Sequence, residues 1–221
     1  MKIAVLGTGM VGQTIAARVA GLGHDVTIGT RDPEATLARS GDDGSFADWV
    51  AANPTVTLAT FAEAAAGADL VVNATSGSAT LSVLEAAGAD NLAGKTLLDI
   101  ANPLDFSNGF PPTLFVKDTD SLGEQVQRAF PETKVVKSLN TLTAQLMVNP
   151  AGLGADSSVF VSGNDADAKA TVTQLLRSFG HTDVIDLGDI TTARGTEMLL
   201  PVWLRLMGAL GTPMFNFKIA R

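Results

Sequence analysis

The chain has 221 residues, no cysteine and a formal net charge of −8. That length fits one large domain or one domain with an appendage, while disulfides, thiolate metal sites and cysteine nucleophiles are excluded, and the acidic balance disfavours nucleic acid and anionic membrane as partners. A hydrophobic content of 46% supplies a full core, yet the nearest approach to a membrane span, Met198 to Leu210, is short and holds Pro201 and Arg205. A strand is expected to begin at Lys2 with no signal peptide before it, so a cytoplasmic protein is expected.

Lys2 to Leu6 is predicted as a short buried strand, with Ile3, Val5 and Leu6 as its apolar bulk. Gly7-Thr8-Gly9-Met10-Val11-Gly12 follows at once, and a helix runs on to about Val19. Val11, Ile15, Val19 and Leu22 fall on one face of it. Gly21-Leu22-Gly23 ends that helix, because glycine accepts the left-handed conformation there. Val26 to Ile28 is a second strand. Strand, G-x-G-x-x-G, helix and strand come in the order a dinucleotide requires. Gly7 makes the tight turn, Gly9 admits a pyrophosphate, and Gly12 lets the helix lie close to the sheet. The free amides at the helix start face the phosphates, so Gly7, Thr8, Gly9, Met10, Val11 and Gly12 are candidate cofactor-binding residues.

The end of the second strand selects the cofactor. NAD enzymes usually place an acid there for the ribose 2′-hydroxyl. Here stands Gly29-Thr30-Arg31. Thr30 offers a hydroxyl and Arg31 a guanidinium suited to a phosphate, which points to NADP(H). Asp32 stands before Pro33 and is assigned to capping the next helix.

That helix starts at Pro33 and is interrupted at Gly41-Asp42-Asp43-Gly44, with a short helix from Phe46 to Ala51 beyond it. Val56 to Leu58 is a third strand, followed by a helix through Phe61 to Ala64 that ends at Gly67. Asp69 to Val72, Thr96 to Ile100 and Lys134 to Ser138 are the fourth, fifth and sixth strands. Leu104 to Asp120 reads as a long loop, and Ser121 with Glu124 as a capping box opening another helix. Leu142 to Val148 is a short helix. Ser157 to Val161 and Asp183 to Asp186 are two more strands around a helix from Asp165 to Phe179. Alternating strands and helices predict an α/β fold of the Rossmann type, a doubly wound, mainly parallel sheet with a small C-terminal helical extension. The dinucleotide-binding domain is placed at 1–150 and the extension at 151–221.

Ligands bind beyond the carboxyl ends of such strands. Three further loops leave those ends: Asn73-Ala74-Thr75-Ser76-Gly77, Ile100-Ala101-Asn102-Pro103 and Ser138-Leu139-Asn140-Thr141. Asn73, Ala74, Thr75, Ser76, Ala101, Asn102, Pro103 and Asn140 are therefore candidate contacts to a nicotinamide, with Asn73 and Asn102 positioned to orient its carboxamide or ribose. Tyrosine is absent, and the two histidines, His24 and His181, precede strands and so fall at amino ends, away from the chemistry. Lys137 and Lys117 remain as proton donors, Lys137 being equally readable as a surface charge. With no protein acid, no catalytic side chain and no metal set is assigned. The composition suits hydride passing between two ring cofactors, where the protein supplies proximity and orientation. Glu197 to Gly211 is apolar on nearly all faces and is expected to be buried, as a pocket wall, a dimer contact or plain core.

Gly7 to Gly12 and Gly29-Thr30-Arg31-Asp32-Pro33 resemble the coenzyme F420-dependent NADP oxidoreductases. So do Ile100 to Leu104, Ser121 to Glu124, Val135 to Thr141 and the ending from Trp203 to Phe217. The glycine turn is shorter than in the archaeal members. The resemblance implies hydride transfer between NADPH and the deazaflavin coenzyme F420, a Rossmann domain with a small extension, and a homodimer. It places the pyrophosphate on Thr8 to Gly12, the 2′-phosphate on Thr30 and Arg31, and the nicotinamide beside Asn73 to Ser76 and Ala101-Asn102. A flavin is an alternative acceptor. Two other readings stay open: a reductase of a small imine or carbonyl using Lys137 or a bound water, and a non-enzymatic NADP(H) sensor.

Overall fold

Eight short apolar runs form one sheet: β1 (Lys2–Leu6), β2 (Asp25–Thr30), β3 (Val56–Thr60), β4 (Leu70–Asn73), β5 (Thr96–Asp99), β6 (Lys134–Ser138), β7 (Ser158–Gly163) and β8 (Asp183–Gly188). The computed structural model describes residues 1–41 and 44–221. Asp42 and Asp43, part of the interruption expected after the helix that starts at Pro33, lie outside the described residues. The strands run in the order β8-β7-β6-β5-β4-β1-β2-β3. All pairs from β3 to β6 are parallel, with Leu6 beside Asn73 and Asn73 beside Asp99. The carboxyl ends of β1, β4 and β5 therefore lie side by side. β7 runs antiparallel to β6, and β8 follows β7 in parallel, so the last two strands are reversed.

Among the described residues, ten helices of five residues or more carry the labels α1 (Met10–Gly21), α2 (Pro33–Ala38), α3 (Phe46–Ala52), α4 (Phe61–Gly67), α5 (Thr80–Ala87), α6 (Leu122–Ala129), α7 (Ala144–Val148), α8 (Ala166–Phe179), α9 (Ala193–Met198) and α10 (Leu200–Leu210). β1 shows how the sheet divides them. Ile3 and Val5 join a core with Ile15 and Val19 of α1 and Val172 and Leu176 of α8. Ala4 and Leu6 join the opposite core with Phe61 of α4, Leu84 of α5 and Val126 of α6. Side chains alternate along a strand, so one apolar strand serves two helix layers, and the doubly wound α/β fold follows.

Capping is satisfied differently from expectation at one helix. Asp32 caps α2, accepting from the Ala35 amide at 3.0 Å with Pro33 following it, as its sequence position predicts. A reciprocal capping box exists, but at Thr60 and Glu63. At Ser121 one half is present: the Ser121 hydroxyl accepts from the Glu124 amide at 3.1 Å. The Glu124 carboxylate turns instead to that hydroxyl and to Arg194, whose Nε donates at 2.8 Å. A distant cation outcompetes the local backbone amide for it.

α10 is less buried than its composition predicts. Leu200 and Leu204 are buried, whereas Val202 and Leu210 are exposed. Trp203 stacks on Phe215 at 5.2 Å, and the tail beyond returns to β7, the Phe217 carbonyl accepting from the Ser158 amide at 2.8 Å. The tail thus covers part of the helix, and the remaining apolar stripe is left to the surface.

Candidate active site

The glycine turn has the geometry its spacing implies. Gly7 has a φ of +119°, and an added Cβ would come within 2.7 Å of the Ala74 carbonyl oxygen. A Cβ on Gly12 would meet the Gly7 carbonyl oxygen at 2.1 Å, so α1 starts against the turn itself. Gly9 is different. Its φ of −75° suits any residue, and an added Cβ would meet no protein atom within 4 Å. Nothing in the fold demands glycine there, whereas a pyrophosphate lying over the turn would. The first intrahelical bond of α1 runs from the Gln13 amide to the Gly9 carbonyl, 2.9 Å. The amides of Met10, Val11 and Gly12 precede it, and the helix start carries neither a side-chain cap nor an acid. These residues fit the diphosphate of a dinucleotide.

At the end of β2, Arg31 is exposed. Thr30 is buried, and its hydroxyl lies 2.8 Å from that of Thr36. Thr36 donates its own proton to the Asp32 carbonyl at 2.7 Å, so the Thr30 proton goes to Thr36. The Thr30 hydroxyl therefore braces the start of α2, and the expectation that it donates to a 2′-phosphate is corrected. Sequence reading passed over Arg39, whose guanidinium reaches back to the Thr8 hydroxyl at 3.0 Å. One guanidinium, that of Arg39, thus stands at the glycine turn, and Arg31 is exposed at the end of β2. Arg39 has no local motif and is found by the bend of the chain after α2.

A cavity of about 390 Å³ adjoins the turn. Its walls come from Met10 and Val11, from residues 74–78, from residues 100–102 with Leu104 and Phe106, and from residues 142–144 with Met147. Ala74, Thr75, Ser76, Ala101 and Asn102 are thereby brought together, as expected. The polar side chains among these residues are hydroxyls and the Asn102 amide; the lining contains no carboxylate, lysine, arginine, histidine or tyrosine. Gly77, not singled out from sequence, locks two walls together. A Cβ there would lie 2.0 Å from the Asn102 carbonyl oxygen. The C-terminal helix does not line the cavity, which corrects the pocket-wall expectation; α7 takes that place.

Three asparagine and proline candidates sit behind the lining. Asn73 is fully buried, and its Nδ2 donates to Asp99 at 2.7 Å and Thr80 at 3.2 Å, while its Oδ1 accepts from the Thr75 hydroxyl at 2.6 Å. Its amide is consumed inside the protein, so it shapes the loop instead of orienting a carboxamide. Asn140 is also buried and exchanges bonds with Asn102: Asn140 Nδ2 donates to Asn102 Oδ1 at 3.0 Å, and Asn102 Nδ2 donates to the Asn140 carbonyl at 2.8 Å. Pro103 is buried and lies outside the cavity lining.

Lys137 is not a surface charge. It is fully buried, with Nζ at 2.8 Å from Asp99 Oδ2 and 2.9 Å from Glu197 Oε1, and it also donates to the Ala101 carbonyl. Burial opposes its charge, but the two carboxylates and their hydrogen bonds outweigh burial and raise its pKa above the ordinary lysine value. A lysine so enclosed cannot hand a proton to a substrate. Lys117 is exposed and is not part of the lining.

The histidine expectation holds for one residue. His24 precedes β2 at the amino side of the sheet. His181 precedes β8, and because β8 is reversed it lies on the cavity's side instead. It is buried, with Nε2 2.9 Å from the carbonyl oxygen of Met147, a cavity residue.

Comparison with known proteins accords with this geometry. The family described as NADP oxidoreductase, coenzyme F420-dependent, matches residues 2–103. A candidate F420-dependent NADP reductase from Arthrobacter sp. FB24, solved by crystallography, is 68% identical and superposes with a TM-score of 0.97 over 100% of both chains. The chain belongs to the coenzyme F420-dependent NADP oxidoreductase family. This is a family of NADP-dependent oxidoreductases, with NADP(H) and coenzyme F420 as the paired cofactors its description names. F420-dependent NADP reductase of Methanothermobacter marburgensis is 28% identical over 210 residues, 93% of this chain and 92% of that protein. Metalloreductase STEAP3 of Rattus norvegicus is 30% identical over 207 residues, 91% of this chain. The chain spans 38% of that protein's length.

Proposed function

We propose that this member of the family is an NADP(H)-dependent oxidoreductase passing hydride between NADPH and a deazaflavin, coenzyme F420. The observation that carries the reading is a cavity beside a dinucleotide turn whose lining holds no titratable side chain. Reduction of a carbonyl or imine calls for a proton donor near the reacting atom. Transfer to a conjugated ring calls for stacking and alignment, with the proton drawn from solvent. Burial of Lys137 removes the one protein donor that favoured the carbonyl alternative.

NADP(H), when bound, supplies or accepts the hydride. The amides of Met10, Val11 and Gly12 hold its diphosphate. Arg31 faces the 2′-phosphate. Ala74 to Ser76 and Ala101-Asn102 provide the wall for its nicotinamide half. Val11, Leu142 and Met147 give the cavity an apolar floor that excludes water, and Phe106 stands at its mouth, 59% exposed. A flat tricyclic ring suits such a lining better than a small polar substrate.

Mixing protein, NADPH and F420 and following deazaflavin absorbance tests the proposal. Turnover with F420 supports it, turnover with FMN, FAD or riboflavin alone moves the acceptor to a flavin, and none with any of these overturns it. A second copy is proposed to cover the apolar stripe of α10, where Val202 is 44% and Leu210 56% exposed. Sedimentation should give twice the 22.7 kDa chain mass, and Val202→Lys with Leu210→Lys should give the monomer. A cytoplasmic location is part of the proposal, and no helix among the described residues is long and apolar enough to cross a membrane.

A further inference from the structure

A buried ion network ties all three post-strand loops to the C-terminal helices. Lys137 on β6 joins Asp99 on β5 and Glu197 on α9. Asp99 Oδ1 accepts from Asn73 on β4 at 2.7 Å and from the Ala101 amide at 3.2 Å. Lys137 also holds the Ala101 carbonyl, so both polar backbone atoms of a cavity residue are fixed. Glu197 accepts from the Leu122 and Gly123 amides at 2.8 and 3.0 Å, taking the two first-turn amides of α6 that the Ser121 cap does not bond. Buried charges of this kind are poor stabilisers, because desolvation offsets their attraction, and apolar replacements often hold a fold equally well. What they fix is geometry. Their reach here ends on the cavity wall formed by Ala101 and Asn102.

We propose that Lys137, Asp99 and Glu197 are positioning residues that set the backbone of Ala101 and Asn102 against the nicotinamide half of the cofactor. The inference rests on the NADP(H) reading above. It separates the site into two parts: phosphates held by the glycine turn and arginines, and a ring held by the network.

The probes are NADPH and 2′,5′-ADP, which carries the phosphorylated ribose but no nicotinamide. Asp99→Asn keeps shape, yet whichever way the amide is turned its Nδ2 faces a donor, either Lys137 or Asn73 with the Ala101 amide. Calorimetry should show 2′,5′-ADP affinity within about twofold of wild type and NADPH affinity lowered about tenfold. The emission of bound NADPH should fall back toward that of free cofactor. Glu197→Gln should act in the same direction and serves if the first variant does not fold. Equal affinities of variant and wild type for both probes would overturn the proposal. So would a parallel loss of both, or collapse of both variants, since the network would then serve the fold alone. A wild-type protein that binds neither probe would instead sink the NADP(H) reading and this inference with it.

Discussion

The two ends of the site are built from opposite materials. The proposed phosphate end is mostly main chain, a glycine turn and three helix amides, supplemented by the exposed guanidinium groups of Arg31 and Arg39. The proposed nicotinamide end is a thin lining of small residues backed by buried, fully paired side chains, Asn73, Asp99, Lys137, Asn140 and Glu197. The first end grips by charge and needs little scaffolding beyond backbone conformation. The second has no charge of its own in the cavity and depends on what stands behind it. Substitutions should therefore separate binding from alignment.

The largest effects belong to the glycines, which divide by cause. Gly12→Ala drives a Cβ to within 2.1 Å of the Gly7 carbonyl oxygen. It should cost about 3 kcal/mol of stability in denaturant melts and remove NADPH binding. Gly9→Ala meets open space in the protein and should leave the melt unchanged while weakening NADPH by tenfold or more in calorimetry, about 1.4 kcal/mol. If Gly9→Ala instead destabilises the fold, the turn is a packing device and the contrast fails.

Next comes Gly77→Ala, which pushes on the Asn102 carbonyl without touching the phosphate end. Single-turnover hydride transfer should slow about a hundredfold with affinity for 2′,5′-ADP retained, because misplacement of about 1 Å is enough. Arg31→Ala should weaken NADPH about thirtyfold and NADH hardly at all, the loss of one charge-assisted contact of about 2 kcal/mol. Arg39→Ala should give a smaller loss of the same sign. Equal losses for the two cofactors would remove the 2′-phosphate from this end.

The smallest effect is on pH dependence. Burial, partly offset by the bond to the Met147 carbonyl, holds the His181 pKa below the ordinary value of 6.5. The unfolded chain then binds the extra proton first, so this contribution is present above pH 6.5 and is lost as pH falls through that value toward the folded pKa. Acidification from pH 7 to 5 should lower the melting temperature, and His181→Gln should flatten that part of the curve by about 2 °C.

The difference between the two ends also decides what could be read in advance. Gly7 to Gly12 and Asp32-Pro33 act on neighbours within a few residues, so spacing alone reports them, and strand alternation reported the sheet and its two helix layers. Lys137 is readable equally as a proton donor or a surface charge because its partners lie 38 residues away at Asp99 and further off at Glu197. Asn73 looked like a ligand contact because a loop asparagine offers no local sign that Asp99 will claim its amide. His181 was misplaced because a strand pattern carries no direction, and β8 runs against the parallel set. Composition predicted a buried α10; it cannot say which apolar surface a chain leaves uncovered.

The close seating of Gly77 on the Asn102 carbonyl has a practical consequence for reuse of the scaffold. Those two walls can shift only as a unit, so variation aimed at them would disturb cofactor alignment and substrate choice together. The Leu104 amide also bonds the Asn102 carbonyl, at 2.8 Å, but the hairpin beyond it, where Leu104–Asp105 pairs with Thr113–Leu114, carries an exposed Phe106 at the cavity rim. Libraries meant to retune the acceptor should be confined to that hairpin.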